Sequence, residues 1–254
     1  MRGLRGKRIV VAGGSTGIGA ATAERLAEEG ASVVIGDLNF SGAQATAKRI
    51  AEGGGTAVAV YFDLADEGSV QALIDHAVAE LGGLDGLFNV GANVPDAVPD
   101  RDTDLLSMDP QVWRRTFEVN LLGYSLACRA AIPHLLAAGG GAIVNCSSGG
   151  AWSGLPVLPA YSTSKAGVNA LTRHIASRWG REGVRCNAVA PGRVVTESLQ
   201  RQGTPVPQPG HEIRSTRFGR PSDIAATVVL LLSDDGEWVN GQTWSVCGGA
   251  SLRE

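Results

Sequence analysis

Long apolar runs are missing from this 254-residue chain. Every hydrophobic stretch is broken by glycine or a polar residue well short of the roughly 18 residues that a membrane-spanning helix needs. Met1 to Gly6 is basic but leads directly into an apolar strand, without the apolar core or cleavage site of an export signal. A cytoplasmic location and no membrane partner are therefore expected. Basic charge is also scarce: 22 lysines and arginines face 25 aspartates and glutamates, for a net charge of −3. With neither a basic stripe nor a recognition motif, no nucleic-acid partner is expected. The four cysteines, Cys128, Cys146, Cys186 and Cys247, are widely separated, with no CxxC pair and no histidine at ligand spacing. They read as buried, reduced thiols, Cys146 and Cys186 within apolar strand patterns, and no metal site is expected. His76, His134, His174 and His211 fall on helix faces or in a loop, where none is placed to act as a base.

What is present is a strict alternation. Short β-branched apolar runs at residues 8–12, 32–36, 57–62, 86–89, 142–147, 185–190 and 243–246 predict strands. Their near-continuous hydrophobicity is that of parallel strands buried on both faces. Between them, residues 17–29, 41–52, 66–81, 110–137, 161–180 and 222–232 predict helices. Asp66 before Glu67 gives one a capping residue and an acidic first turn, and Ser222-Asp223 after Pro221 gives another the same. Seven strands with intervening helices predict an α/β fold, a doubly wound (Rossmann) seven-stranded parallel sheet with helices on both faces. No linker or repeat interrupts it, so residues 1–254 read as one domain. Residues 197–217 are the exception. Pro205, Pro207, Pro209, Gly203 and Gly210 preclude a long helix there, and a loop of this length is expected to be mobile without substrate and to close over the cofactor.

Behind the first strand lies Gly13-Gly14-Ser15-Thr16-Gly17-Ile18-Gly19, opening a helix. Glycines permit close backbone approach to a pyrophosphate, and the helix start supplies unpaired N–H groups and a positive dipole end. Asp37 closes the second strand, 18 residues after Gly19. A carboxylate at that offset can accept hydrogen bonds from adenosine ribose hydroxyls and would repel a 2′-phosphate. Neither Ser15 nor Thr16 is basic. The expected cofactor is NAD. Asp63 and Leu64, ending the third strand, are expected to border the adenine.

Tyr161 and Lys165 are spaced i, i+4 and so share one helix face. A tyrosine titrates near 10, but a neighbouring ammonium favours the phenolate and brings that value toward neutrality, as general acid/base chemistry requires. Ser148 lies thirteen residues earlier, at the carboxyl end of a strand, where such sheets bind ligands. Its hydroxyl can bond a carbonyl or alkoxide oxygen. Gly150 and Trp152 follow it, and with Tyr161 they are expected to wall a substrate pocket. Pro95, Leu155 and Val157 would make that pocket apolar.

In these motifs, and in their order and spacing, the chain resembles the short-chain dehydrogenase/reductase family along essentially its whole length. The resemblance implies that Ser148 polarises the substrate oxygen and Tyr161 exchanges the proton. It implies that Lys165 lowers the tyrosine pKa and holds the nicotinamide ribose. Asn120, in Glu118-Val119-Asn120, would anchor a water relay. Asn89 and Gly91 would border the cofactor. In Pro191-Gly192-x-x-x-Thr196, Val194 and Thr196 would contact the carboxamide beside Pro191. It also implies a homotetramer, which the apolar faces of 110–137 and 161–180 accommodate. The expected reaction is NAD(H)-dependent interconversion of a secondary alcohol and a ketone. The alternatives are a 3-oxoacyl-thioester reductase and a non-catalytic dinucleotide-binding regulator, though the latter has no need of Ser148, Tyr161 and Lys165 together. Three positions depart from the family pattern. Ala12 replaces a threonine before the glycine turn, Val90 replaces an asparagine after Asn89, and Cys247 replaces an aspartate before Gly248-Gly249.

Overall fold

The computed structural model describes residues 1–93, 102–196, 210 and 213–252. Its centre is a seven-stranded parallel sheet in the order β3-β2-β1-β4-β5-β6-β7. The strands are β1 (Arg8–Ala12), β2 (Ser32–Asp37), β3 (Thr56–Tyr61), β4 (Gly86–Asn89), β5 (Gly141–Cys146), β6 (Val184–Pro191) and β7 (Thr243–Val246). The helices are α1 (Gly17–Glu28), α2 (Phe40–Glu52), α3 (Glu67–Leu81), α4 (Pro110–Phe117), α5 (Gly123–Ala137), α6 (Pro159–Trp179) and α7 (Pro221–Leu232).

The two-residue period of each strand divides the core into two layers. Val10, Val34, Leu87, Ile143 and Cys186 face one way and pack with Leu73 and Ile74 of α3, Ala127 of α5, and Val168 and Ile175 of α6. Their neighbours Ile9, Val11, Val33, Ile35, Val144 and Val189 face the other way, against Ala23 and Leu26 of α1 and Ile224 and Val228 of α7. Burying each valine, leucine or isoleucine among them contributes about 1.5–3 kcal/mol before entropy.

Asp66 caps α3 as expected, accepting from the Gly68 and Ser69 N–H groups at 2.8 and 3.2 Å. The start of α7 differs from expectation. Pro221 is its first residue, and Ser222 lies within it rather than capping it. Asp223 instead reaches back to accept the Arg220 N–H at 2.7 Å, because a third-position carboxylate serves the chain before the helix better than a proline-flanked serine can. Residues 110–137 form one continuous rod, as expected, but not a regular one. A π turn, Glu118–Leu122, separates α4 from α5. Among the described residues, no helix is long and apolar enough to cross a membrane. Most of the expected 197–217 loop, and Pro95, lie outside the described residues.

Candidate active site

Strand order reverses between β1 and β4, and a cleft of about 500 Å³ opens there. Its floor is the glycine turn. The Gly13 and Gly14 N–H groups both donate to the Gly36 carbonyl, at 2.8 and 3.2 Å. Gly13 has φ +111°, and a Cβ there would overlap the Gly91 backbone. A Cβ on Gly19 would overlap the Gly13 carbonyl oxygen. Thr16 precedes α1 without capping it through its side chain. Gly17, Ile18 and Gly19 therefore bring first-turn N–H groups to the cleft as anion donors. At Ala12, where the family pattern has a threonine, the backbone carbonyl accepts from both the Val90 and Gly91 N–H groups, at 2.9 and 2.8 Å.

Asp37, the last residue of β2, stands at one end of this cleft. Its Oδ2 accepts the Ser15 N–H and its Oδ1 the Asn39 N–H, both at 2.9 Å. Each oxygen retains a lone pair for a further donor. Among the described residues one cation lines the cleft, Arg115, and its guanidinium is paired with Glu118 at 3.0 Å. Asp63, Leu64, Val90, Gly91, Asn93, Val119 and Thr196 complete the wall. Thr196 comes close to the turn, its Cγ2 lying 3.3 Å from where a Gly17 Cβ would stand. Pro191 ends β6, and Val194 bridges to Gly219. Cys247 forms the floor of the adjoining turn, its sulfur accepting the Ser251 N–H at 3.4 Å, with Gly192 packed against its backbone. The turn and Asp37 fit the pyrophosphate and ribose of a dinucleotide.

Asn89 is fully buried and its side chain points into the sheet interior. Its amide donates to Asn145 Oδ1 at 2.9 Å and to the Cys128 sulfur at 3.4 Å. The residue thus joins β4 to β5 below the cleft. Strand phase sets this orientation, since Leu87 and Asn89 face the same layer.

β5 leads into the second half of the site. Ser148 starts a single 3₁₀ turn, Gly149–Ala151, and its Oγ accepts the Gly150 N–H at 3.1 Å. A Cβ on Gly150 would lie 3.2–3.5 Å from Ser162 Oγ, Leu155 and Ser148 Oγ, so this turn packs against the start of α6. Trp152 ends the turn and is half-buried.

On α6, Tyr161 and Lys165 share a face. The Lys165 ammonium is buried, 5.8 Å from the centre of the Tyr161 ring. It donates to the Cys146 carbonyl at 2.8 Å and to the Tyr124 hydroxyl at 3.5 Å. Burial pushes its pKa down to about 8, partly opposed by the nearby Cys146 sulfur. Tyr124 is wholly buried, and burial holds its phenol well above the ordinary value, so it remains neutral.

Asn120 lies inside the π turn and is fully buried. Its Oδ1 accepts the Asn93 N–H at 2.7 Å, and its amide donates to the Asn93 carbonyl at 3.2 Å and to Ser164 Oγ at 3.4 Å. It therefore ties the segment leaving β4 to α6, one residue from Lys165. π turns recur at functional sites because the extra residue redirects a side chain.

Two neighbours escape sequence reasoning. Tyr124 reads there as an ordinary apolar position of a helix. Asp102 carries no motif, yet its carboxylate accepts the Ala160 and Tyr161 N–H groups at 3.1 and 2.9 Å. Leu158, at the start of α6, has φ +66°. A left-handed conformation costs a non-glycine residue about 1–2 kcal/mol. The Leu158 N–H donates to the Asp102 carbonyl at 2.9 Å, which helps hold it there.

Residues 12–251 match the family model described as enoyl-(acyl carrier protein) reductase. A probable short-chain type dehydrogenase/reductase of Bradyrhizobium diazoefficiens is 42% identical, over 97% of this chain and 88% of that protein. The cis-4-hydroxycyclohexanecarboxylate dehydrogenase of Sinomonas cyclohexanicum is 41% identical, over 94% of each. The crystal structure of a dehydrogenase/reductase from Sinorhizobium meliloti 1021 superposes with a TM-score of 0.87 at 33% identity, covering 98% of this chain and 97% of that one. With the sheet order, the cleft and the pair Tyr161 and Lys165 already in place, these similarities identify the chain as an oxidoreductase belonging to the short-chain dehydrogenase/reductase family.

Proposed function

We propose that the protein is an NAD(H)-dependent dehydrogenase that interconverts a secondary alcohol and a ketone, with Tyr161 as its acid/base. The observation that carries the cofactor choice is Asp37. Its carboxylate faces the cleft, where two ribose hydroxyls can donate to it and a 2′-phosphate would meet like charge. Gly13, Ser15, Thr16, Gly17, Ile18 and Gly19 would take the pyrophosphate. Asp63 and Leu64 would border the adenine. Pro191, Val194 and Thr196 would flank the nicotinamide.

When bound, the nicotinamide supplies the hydride acceptor or donor. The remaining work falls to side chains. Ser148 Oγ donates to the substrate oxygen and orients it. In the oxidative direction Tyr161 Oη takes the hydroxyl proton as the carbon–hydrogen bond breaks. The Lys165 ammonium favours the phenolate that accepts this proton. Asn120 holds the segment beside Lys165, from which the proton passes on toward solvent. Gly150 and Trp152 would wall the substrate pocket, with Leu155 and Val157 adding apolar surface. Residues 1–254 act as one domain in this reading, located in the cytoplasm.

A cyclic secondary alcohol is the favoured substrate class. The carboxylated cyclohexanol named for the Sinomonas relative supports it, as do the apolar residues near Ser148. The reading extends to a homotetramer: Leu121, Leu122 and Phe117 line an open groove along the α4–α5 face, and Leu122 is 53% exposed. A second copy would cover them, and sedimentation as a monomer would remove this part.

The decisive experiment follows absorbance of the reduced cofactor with NAD or NADP and a panel containing cyclohexanol, cis-4-hydroxycyclohexanecarboxylate, a polyol, a hydroxysteroid and a 3-hydroxyacyl thioester. Turnover of an alcohol with NAD, at least tenfold better in kcat/KM than with NADP and abolished in Tyr161→Phe, is expected. An NADP preference, or a Tyr161→Phe variant that keeps turning over, would overturn it.

A further inference from the structure

We infer that Asp102 is a positioning residue for Tyr161: its carboxylate caps the helix that carries the tyrosine and fixes where the phenol stands relative to Lys165. The inference rests on the proposed acid/base role of Tyr161.

A helix start leaves several N–H groups without intrahelical partners, and a capping side chain normally serves those of its second and third residues. In α6 the first residue is Pro159, which has no N–H, and the preceding Leu158 has no side-chain acceptor. The second and third residues are Ala160 and Tyr161. Their N–H groups go to Asp102 Oδ1 and Oδ2, across 58 and 59 residues of sequence. The Asp102 carbonyl takes the Leu158 N–H as well. All three amides bordering Pro159 are thus held by one residue, itself only 3% exposed. A carboxylate here also complements the positive end of the helix dipole.

Among the described residues, the turn that follows Asp102 is held by Asp104, which accepts the Leu106 and Ser107 N–H groups at 2.8 and 3.2 Å. Asp102 does not hold Lys165, whose ammonium is fixed by the Cys146 carbonyl and whose backbone carbonyl accepts from Ser147. Removing the Asp102 carboxylate therefore frees the first turn of α6 while the rest of the helix stays anchored. Tyr161 would drift relative to Lys165 and Ser148. A displacement near 1 Å at a reacting group is enough to lower turnover about a hundredfold. Asparagine can keep one of the two bonds but would aim its NH₂ at the other amide, so the order of function is Asp, then Asn, then Ala.

The test compares Asp102→Asn and Asp102→Ala with the parent. Three quantities are read: kcat with the fastest alcohol of the panel and NAD, NADH affinity by fluorescence, and amide exchange at Ala160 and Tyr161. Expected is a kcat lowered roughly tenfold in Asp102→Asn and a hundredfold in Asp102→Ala. NADH affinity should stay within twofold, and exchange should quicken at residues 160–161 but not at Val168–Ile175. An unchanged kcat in Asp102→Ala, or an equal loss of NADH affinity, overturns the inference. If neither variant folds, exchange in the parent decides: slow exchange at Ala160 and Tyr161 supports the cap, and fast exchange overturns it. A dead Tyr161→Phe with an unimpaired Asp102→Ala would reject the positioning role alone. An active Tyr161→Phe would reject the acid/base reading beneath it.

Discussion

The Tyr124 hydroxyl stands 3.5 Å from the Lys165 ammonium, and the centre of its ring is 4.9 Å from the same charge. Lys165 is thus sheltered by a second tyrosine on the side away from solvent. Tyr124→Phe removes one acceptor and leaves the ring. The ammonium is then less favoured, and its support of the Tyr161 phenolate weakens. The pH profile of kcat/KM for alcohol oxidation should move to higher pH by about 0.5–1 unit, as the loss of one modest hydrogen bond implies. A superimposable profile would assign Tyr124 to packing only.

Lys165 also has a signature in stability, independent of catalysis. Its folded pKa, about 8, lies below the ordinary lysine value of 10.5. Between those two values the unfolded chain binds more protons than the folded one, so this group makes stability rise with pH. Compared with Lys165→Met, the parent should gain about 3 kcal/mol of unfolding free energy from pH 8 to pH 10.5. Urea titrations of both proteins across that range measure the difference. Parallel curves would mean that the lysine is not held in a depressed state.

Asp37 accepts the Ser15 N–H, and the cofactor choice proposed for it can be tested separately. Asp37→Ser with Leu38→Arg removes the carboxylate and places a cation at an exposed cleft position. The ratio of kcat/KM for NADP over NAD should rise more than a hundredfold, since repulsion is exchanged for attraction. Asp37→Ala alone should lower kcat/KM with NAD at least tenfold and reduce stability by about 1 kcal/mol, because the Ser15 N–H loses its acceptor. Equal cofactor use by parent and double variant would argue that discrimination lies elsewhere.

Gly19→Ala tests the closeness of the cradle. Its methyl would overlap the Gly13 carbonyl oxygen, and that backbone is pinned to Gly36. Destabilisation of about 1–3 kcal/mol, typical of overpacking, should accompany at least tenfold weaker NADH binding. Gly54→Ala is the control for a positive-φ glycine remote from the cleft, with no atom near its added Cβ. It should lose stability but not NADH affinity.

The sheet was legible because its strands carry β-branched runs whose burial on both faces leaves a direct mark. The cleft was legible because glycine, aspartate and the Tyr161–Lys165 spacing are each imposed by local geometry. What stayed hidden depends on partners distant in sequence. Asp102 looks like any loop acid until α6 is packed beside it, 58 residues on. Nor does the sequence show that the pleat turns the Asn89 amide toward Asn145, 56 residues on. Residues 110–137 read as one helix because no proline or glycine pair marks the π turn at Glu118–Leu122. The contacts of Asn120 with Asn93 and Ser164, which accompany that turn, are tertiary.

That turn has a further meaning for how α4 and α5 relate. A π turn is one extra residue accommodated without breaking the rod, and each residue of an α-helix advances the face by about 100°. The two helices are therefore out of phase by more than a quarter of a revolution. α5 directs Tyr124, Ala127 and Cys128 into the core, while Val112 and Phe117 of α4 border the outer groove. Deleting a single residue from 118–122 would restore a regular helix with its hydrogen bonds intact. The same deletion would swing α4 and its approach to Asn93 around the axis, so the more regular chain would be the one with the disordered site.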